Sequence, residues 1–70
     1  MRPEIKIGVE LAENMAKDMK PWRDKLKWTQ ERMADEVGIS REWYVKTEAG
    51  EVPCKRTTAL SFAYVVLTNL

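Results

Sequence analysis

The first 20 residues carry two overlapping patterns. Apolar and polar residues alternate over IKIGVEL (5–11), the period of a strand, and then Leu11, Met15 and Met19 recur every four residues, the period of a helix. Glu13 and Lys17 form an i,i+4 pair in the favourable order, and ENMAKDMK holds only good or neutral helix formers. A helix is therefore expected from about Val9 to Met19, after a frayed or extended lead. Pro21 either opens a new helix in its first turn or kinks a longer one, and PWRDKLK continues the helical pattern to just before Trp28.

The middle third, TQERMADEVGISREWYVKTEAGEVP (29–53), contains two helix starts in close succession. Thr29 suits an N-cap, with Gln30 and Glu31 in the first turn. Trp28 and Met33 have the spacing of a hydrophobic staple, and Met33, Ala34 and Val37 form an inner face that Gly38 ends. Ser40 then caps a second helix, with Ile39 and Tyr44 at staple spacing, so only a tight turn fits between the two. At about 100° per residue, Ser40, Tyr44, Thr47 and Glu48 share one side of that helix. Glu42, Val45, Lys46 and Ala49 share the other, with Arg41 and Trp43 on the flanks. The Tyr44 side is expected to pack. The opposite side offers acceptor, donor and small apolar groups, the types that read base edges in a major groove.

The last 14 residues, TTALSFAYVVLTNL, carry no charge. On a helix, Leu60, Ala63, Tyr64 and Leu67 share a side that would face the core. Phe62, Val65, Val66 and Leu70 spread round to other sides and are expected to form a two-fold dimer interface, because contiguous exposed apolar area marks an interface. The competing arrangement has the N-terminal segment covering this helix within one chain.

Composition narrows the function. Seventy residues with 44% hydrophobic and 33% charged side chains make one small globular domain. No apolar run is long enough to span a membrane, and the first residues hold no apolar signal core, which implies a cytoplasmic chain. Cys54 is the only cysteine and there is no histidine, so no internal disulfide forms and the commonest general base and metal ligand is missing. Cys54 lacks an evident activating partner, although Lys55 and Arg56 would lower its pKa somewhat. Gly8, Gly38 and Gly50 fit no phosphate loop. No enzyme, cofactor or metal is expected. The net charge is only +1, but it is unevenly placed: residues 20–56 hold nine basic and seven acidic groups, whereas residues 1–19 hold three basic and four acidic ones.

The ordered set Thr29–Gln30, Ala34, Gly38, Ser40, Tyr44, Glu48, Gly50 and Pro53 resembles the Cro/C1-type (lambda-repressor-like, XRE) helix-turn-helix family of phage and plasmid repressors, across roughly residues 22–67. The resemblance implies an all-α domain of four to five helices, comprising an N-terminal segment (1–20) and a DNA-binding domain (21–70) that ends in a dimerisation helix. It further implies base contacts from Ser40, Arg41, Glu42, Trp43 and Lys46, phosphate contacts from Gln30, Thr29 and Arg32, and a structural bridge between Arg23 and Glu48. The implied partners are a double-stranded operator and a second copy of the chain, without a small-molecule effector or membrane. The ending GEVP…ALSFAYVVL is also similar to that of small anti-CRISPR-associated regulators of phages. Two departures from the family have physical consequences. Lys27 stands where the family commonly has Gly, which would strain a helix end by up to roughly 1 kcal/mol. Tyr44 replaces an aliphatic residue, and its hydroxyl needs a partner. A DNA-binding antitoxin, or an adaptor whose apolar tail binds another protein, is the alternative in a different class.

Overall fold

The computed structural model describes residues 8–70, which form five helices and no strand: α1 (Val9–Ala16), α2 (Met19–Leu26), α3 (Gln30–Val37), α4 (Arg41–Glu48) and α5 (Arg56–Asn69). Residues 1–7, where the frayed or extended lead was expected, lie outside the described residues.

The expected first helix is shorter than its periodicity suggests. It closes at Lys17 and Asp18, whose N–H groups bond back to Asn14 and Met15 carbonyls, and α2 starts at Met19. Pro21 is then the third residue of α2, inside the first turn, where its missing N–H forfeits no helix bond. Met15 and Met19 still face inward on both sides of the break.

Each of the next three helix ends uses a left-handed residue. Lys27 (φ 59°) ends α2, Gly38 (φ 91°) ends α3 and Gly50 (φ 78°) follows α4. At Lys27, the Trp28 N–H reaches the Arg23 carbonyl and the Lys27 N–H reaches that of Asp24, the double bond pattern of a Schellman cap. Lys27 is the one non-glycine among the described residues at positive φ, so the strain expected from its lost glycine is present.

The core joins all five helices. Ala12, Met15 and Met19 lie in the same buried cluster as Met33, Ala34, Tyr44, Phe62 and Val66, so α1 and the start of α2 are part of this body. The most extensive helix pairing is α1 on α5, which also meets α2 and α3.

That packing corrects the orientation expected for α5. Phe62 and Val66 are 0% exposed and Val65 7%, whereas Tyr64 is 46% exposed and Leu60 and Leu67 are half-buried. Of the four residues expected at a dimer interface, only Leu70 is on the surface. The physical reason is that α5 is covered from more than one direction, so its buried arc is wider than one helix face. α1 takes the role within one chain that a second copy was expected to fill. No helix among the described residues is long and apolar enough to cross a membrane.

Candidate nucleic-acid interface

The two helices of the middle third are capped as their sequence dictates. The Thr29 hydroxyl accepts from the Arg32 N–H and the Ser40 hydroxyl from the Trp43 N–H, each at 3.1 Å. Gly38 and Ile39 N–H groups both return to the Ala34 carbonyl, closing the turn and setting the entry into α4.

On α4, Tyr44 and Thr47 are buried and Glu48 half-buried, as the angular analysis expects, while Arg41, Glu42, Trp43 and Lys46 are exposed. Trp43 is 38% exposed, whereas Trp22 and Trp28 are partly buried against the core. Thr47 satisfies its hydroxyl by donating to the Trp43 carbonyl at 2.8 Å. Tyr44 does not: its hydroxyl is buried without a hydrogen-bond partner. Burial pushes that phenol far up, and the nearby Glu48 carboxylate adds to the effect.

Ser40, Arg41, Glu42, Val45, Lys46 and Glu51 together line an open groove of about 640 Å³ along the outer face of α4. Four of these were expected to contact bases, whereas Val45 and Glu51 were not. The signal for Glu51 was Gly50: its left-handed conformation lets the Glu51 N–H cap the Lys46 carbonyl at 2.9 Å and the Gly50 N–H that of Thr47 at 3.1 Å. The chain therefore turns back beside the helix, and Glu51 comes to lie next to Lys46. The groove combines two cations, two carboxylates, a hydroxyl and an apolar side chain, a set that can donate to guanine, accept from cytosine and meet a thymine methyl.

The groove-bearing helix is fixed from behind. Arg23 on α2 grips the Glu48 carboxylate through Nε and Nη2 at 2.9 and 3.0 Å, and its Nη1 donates to the Trp28 carbonyl at 2.8 Å. Gln30 adds a donation from Nε2 to Glu48 Oε1 at 3.3 Å. Burial is the largest single influence and opposes the charge on Glu48, but the bonds and charge of Arg23, with Tyr44 and Gln30 beside them, together outweigh it and hold the carboxyl below its usual range. The same pairing raises Arg23. The Gln30 amide is thus turned toward Glu48 and half-buried, so it belongs to the bridge as well as to the exposed start of α3.

Beside that start, the Arg32 guanidinium lies 4.1 Å from the centre of the Trp28 ring, and Lys25 sits over Trp22 at 4.6 Å. Thr29 as the N-cap, with Gln30 and Arg32 in the first turn of α3, forms a patch separate from the α4 groove but tied to it through Gln30 and Glu48. Cys54 corrects a smaller expectation. Partial burial raises its thiol pKa, and neither Lys55 nor Arg56 reverses that.

In comparisons with family models, curated proteins and solved structures, the chain matches none.

Proposed function

We propose that the chain is a sequence-specific double-stranded-DNA-binding transcriptional regulator of the Cro/C1 type, with a lambda-repressor-like fold, acting as a dimeric repressor on an inverted repeat. The observation that carries this reading is the α4 groove: a capped, exposed helix presents Ser40, Arg41, Glu42, Val45 and Lys46, and a buried bridge holds that helix to α2. Rigid support of this kind suits direct readout, because base contacts require side chains at fixed positions. The first turn of α3 adds Arg32 and free backbone N–H groups, which suit a phosphate.

Dimerisation, in this reading, uses the outer stripe of α5, Leu60, Tyr64, Leu67 and Leu70, in place of the buried Phe62, Val65 and Val66. That stripe is uncharged and adjoins a groove of about 380 Å³ between α3 and α5, lined by Glu36, Val37, Leu60, Ser61, Tyr64 and Val65. A two-fold axis there would pair two reading helices for successive major grooves, about 34 Å apart.

Selection of bound duplexes from a random pool, repeated at several salt concentrations, tests the proposal. An enriched inverted repeat with salt-sensitive affinity supports it, and Arg41→Ala should then relax one position of the site. Absence of enrichment, with a co-purifying protein removed by Tyr64→Lys, replaces it with the antitoxin or adaptor reading.

A further inference from the structure

We propose that Trp28 is a positioning residue that presents the Arg32 guanidinium to a DNA backbone phosphate, and that Arg23 keeps this unit in register with the reading helix. The proposal rests on the DNA-binding reading above and concerns how the phosphate anchor and the base-reading helix are held together.

An arginine on an exposed first turn samples many rotamers, and ordering it on a phosphate costs affinity. Arg32 is already constrained, because its guanidinium lies over the Trp28 ring at 4.1 Å. Stacking uses the face of the guanidinium and leaves its in-plane N–H donors free, which is the geometry a phosphate takes. The platform is itself held by three contacts. The Trp28 carbonyl accepts from Arg23 Nη1 at 2.8 Å, its N–H donates to the Arg23 carbonyl at 3.4 Å, and its ring packs against the core.

Arg23 also makes both bonds to Glu48 on α4. A continuous series of contacts therefore runs Arg32, Trp28, Arg23, Glu48, from the first turn of α3 to the last turn of α4. Phosphate contact and base contact are thereby set at a fixed separation. Thr29 contributes by capping the Arg32 N–H, which fixes the backbone from which that side chain departs.

The test measures equilibrium binding of the selected duplex, and of a scrambled duplex of equal length, against salt concentration. Full-length wild type, Arg32→Ala, Trp28→Leu, Trp28→Phe and the Trp28→Leu/Arg32→Ala double variant are compared. Arg32→Ala should reduce the slope of log affinity on log salt by about 0.9, the value for one phosphate. Trp28→Leu should weaken binding to both duplexes about 2- to 5-fold, the range for an exposed cation–π contact, with the preference between duplexes kept. Trp28→Phe, which retains a ring and guards against loss of folding, should fall between. The double variant should bind no worse than Arg32→Ala alone. A Trp28→Leu loss that persists undiminished without Arg32, or equal binding by folded Phe and Leu variants, overturns the proposal while leaving the DNA-binding reading intact. A wild type that binds neither duplex in a salt-sensitive way overturns both.

Discussion

Arg23 and Glu48, 25 positions apart in sequence, meet in a two-pronged ion pair at 2.9 and 3.0 Å, with side chains only 12% and 7% exposed. A pair this sheltered is weak grounds for stability as such, because desolvation offsets much of the attraction. Its geometry is the more informative feature. Arg23 also holds the Trp28 carbonyl and Gln30 also holds Glu48, so the start of α3, the end of α2 and the end of α4 share one set of bonds.

The pair makes stability depend on acid. The folded Glu48 carboxyl lies below its ordinary value of 4.5, so the group contributes stability that is complete above that value and is lost as pH falls through the folded one. Arg23, whose guanidinium is made still more basic by its bond to Glu48, contributes no titration near neutrality. Denaturant midpoints measured from pH 7 down to pH 2 should fall in the wild type below about pH 4.5. Glu48→Gln should be about 2 kcal/mol less stable at pH 7, the scale of a hydrogen bond to a charged group, and should lack this part of the acid limb. Parallel pH profiles for the two proteins would show that Glu48 carries none of it.

Lys27 in the left-handed region costs about 1 kcal/mol relative to glycine. Part of that is returned by the lower backbone freedom of lysine in the unfolded chain, so Lys27→Gly should stabilise by about 0.5 kcal/mol. A raised denaturant midpoint with an unchanged slope is the expected reading. A lowered one would mean that the lysine side chain makes an interaction worth more than the strain.

Tyr44 should tolerate loss of its hydroxyl. The Oη atom is fully buried without a hydrogen bond, so Tyr44→Phe removes a desolvated polar group and keeps the ring that fills the core beneath α4. Thermal unfolding should move upward or stay unchanged. A loss exceeding about 1 kcal/mol would show instead that the hydroxyl bonds to the Glu48 carboxylate.

The parts of the molecule that could be read from the chain are those set by local chemistry. Thr29, Gly38 and Ser40 specify α3, its end and the start of α4 through bonds that span no more than five residues. The packed side of α4 was legible from Tyr44, which stands at staple spacing from Ile39 and shares its side of the helix with Thr47 and Glu48. The Arg23–Glu48 bridge was implied by resemblance, and the inward angle of Glu48 agreed with it. α5 offered no such guide: after Arg56 at its first position the helix carries no charged side chain to mark its outside, and the position of α1 decides which apolar residues are covered. The break at Lys17–Asp18 is similarly silent, since neither residue disrupts a helix by itself. Glu51 joins the groove through the cap at Gly50, whereas Val45 lies on the side of α4 that helical angle had already given to Glu42 and Lys46.

The two faces of α5 can be separated by mutation. Phe62 is completely buried, so Phe62→Ala should destabilise the monomer by about 3–5 kcal/mol through lost contacts and a residual cavity. Tyr64 is 46% exposed on the outer stripe, so Tyr64→Lys should leave helicity and the thermal midpoint at high dilution near wild type. If the outer stripe is the dimer interface, Tyr64→Lys should shift the sedimentation-equilibrium mass from two chains toward one, and operator affinity should drop with it because both half-sites can no longer be held together. A wild-type dimer that survives Tyr64→Lys and Leu67→Lys together would place the interface elsewhere. Since Phe62 and Val66 remain inside the monomer in every case, that result would direct the search to the exposed Val9 and Leu11 of α1.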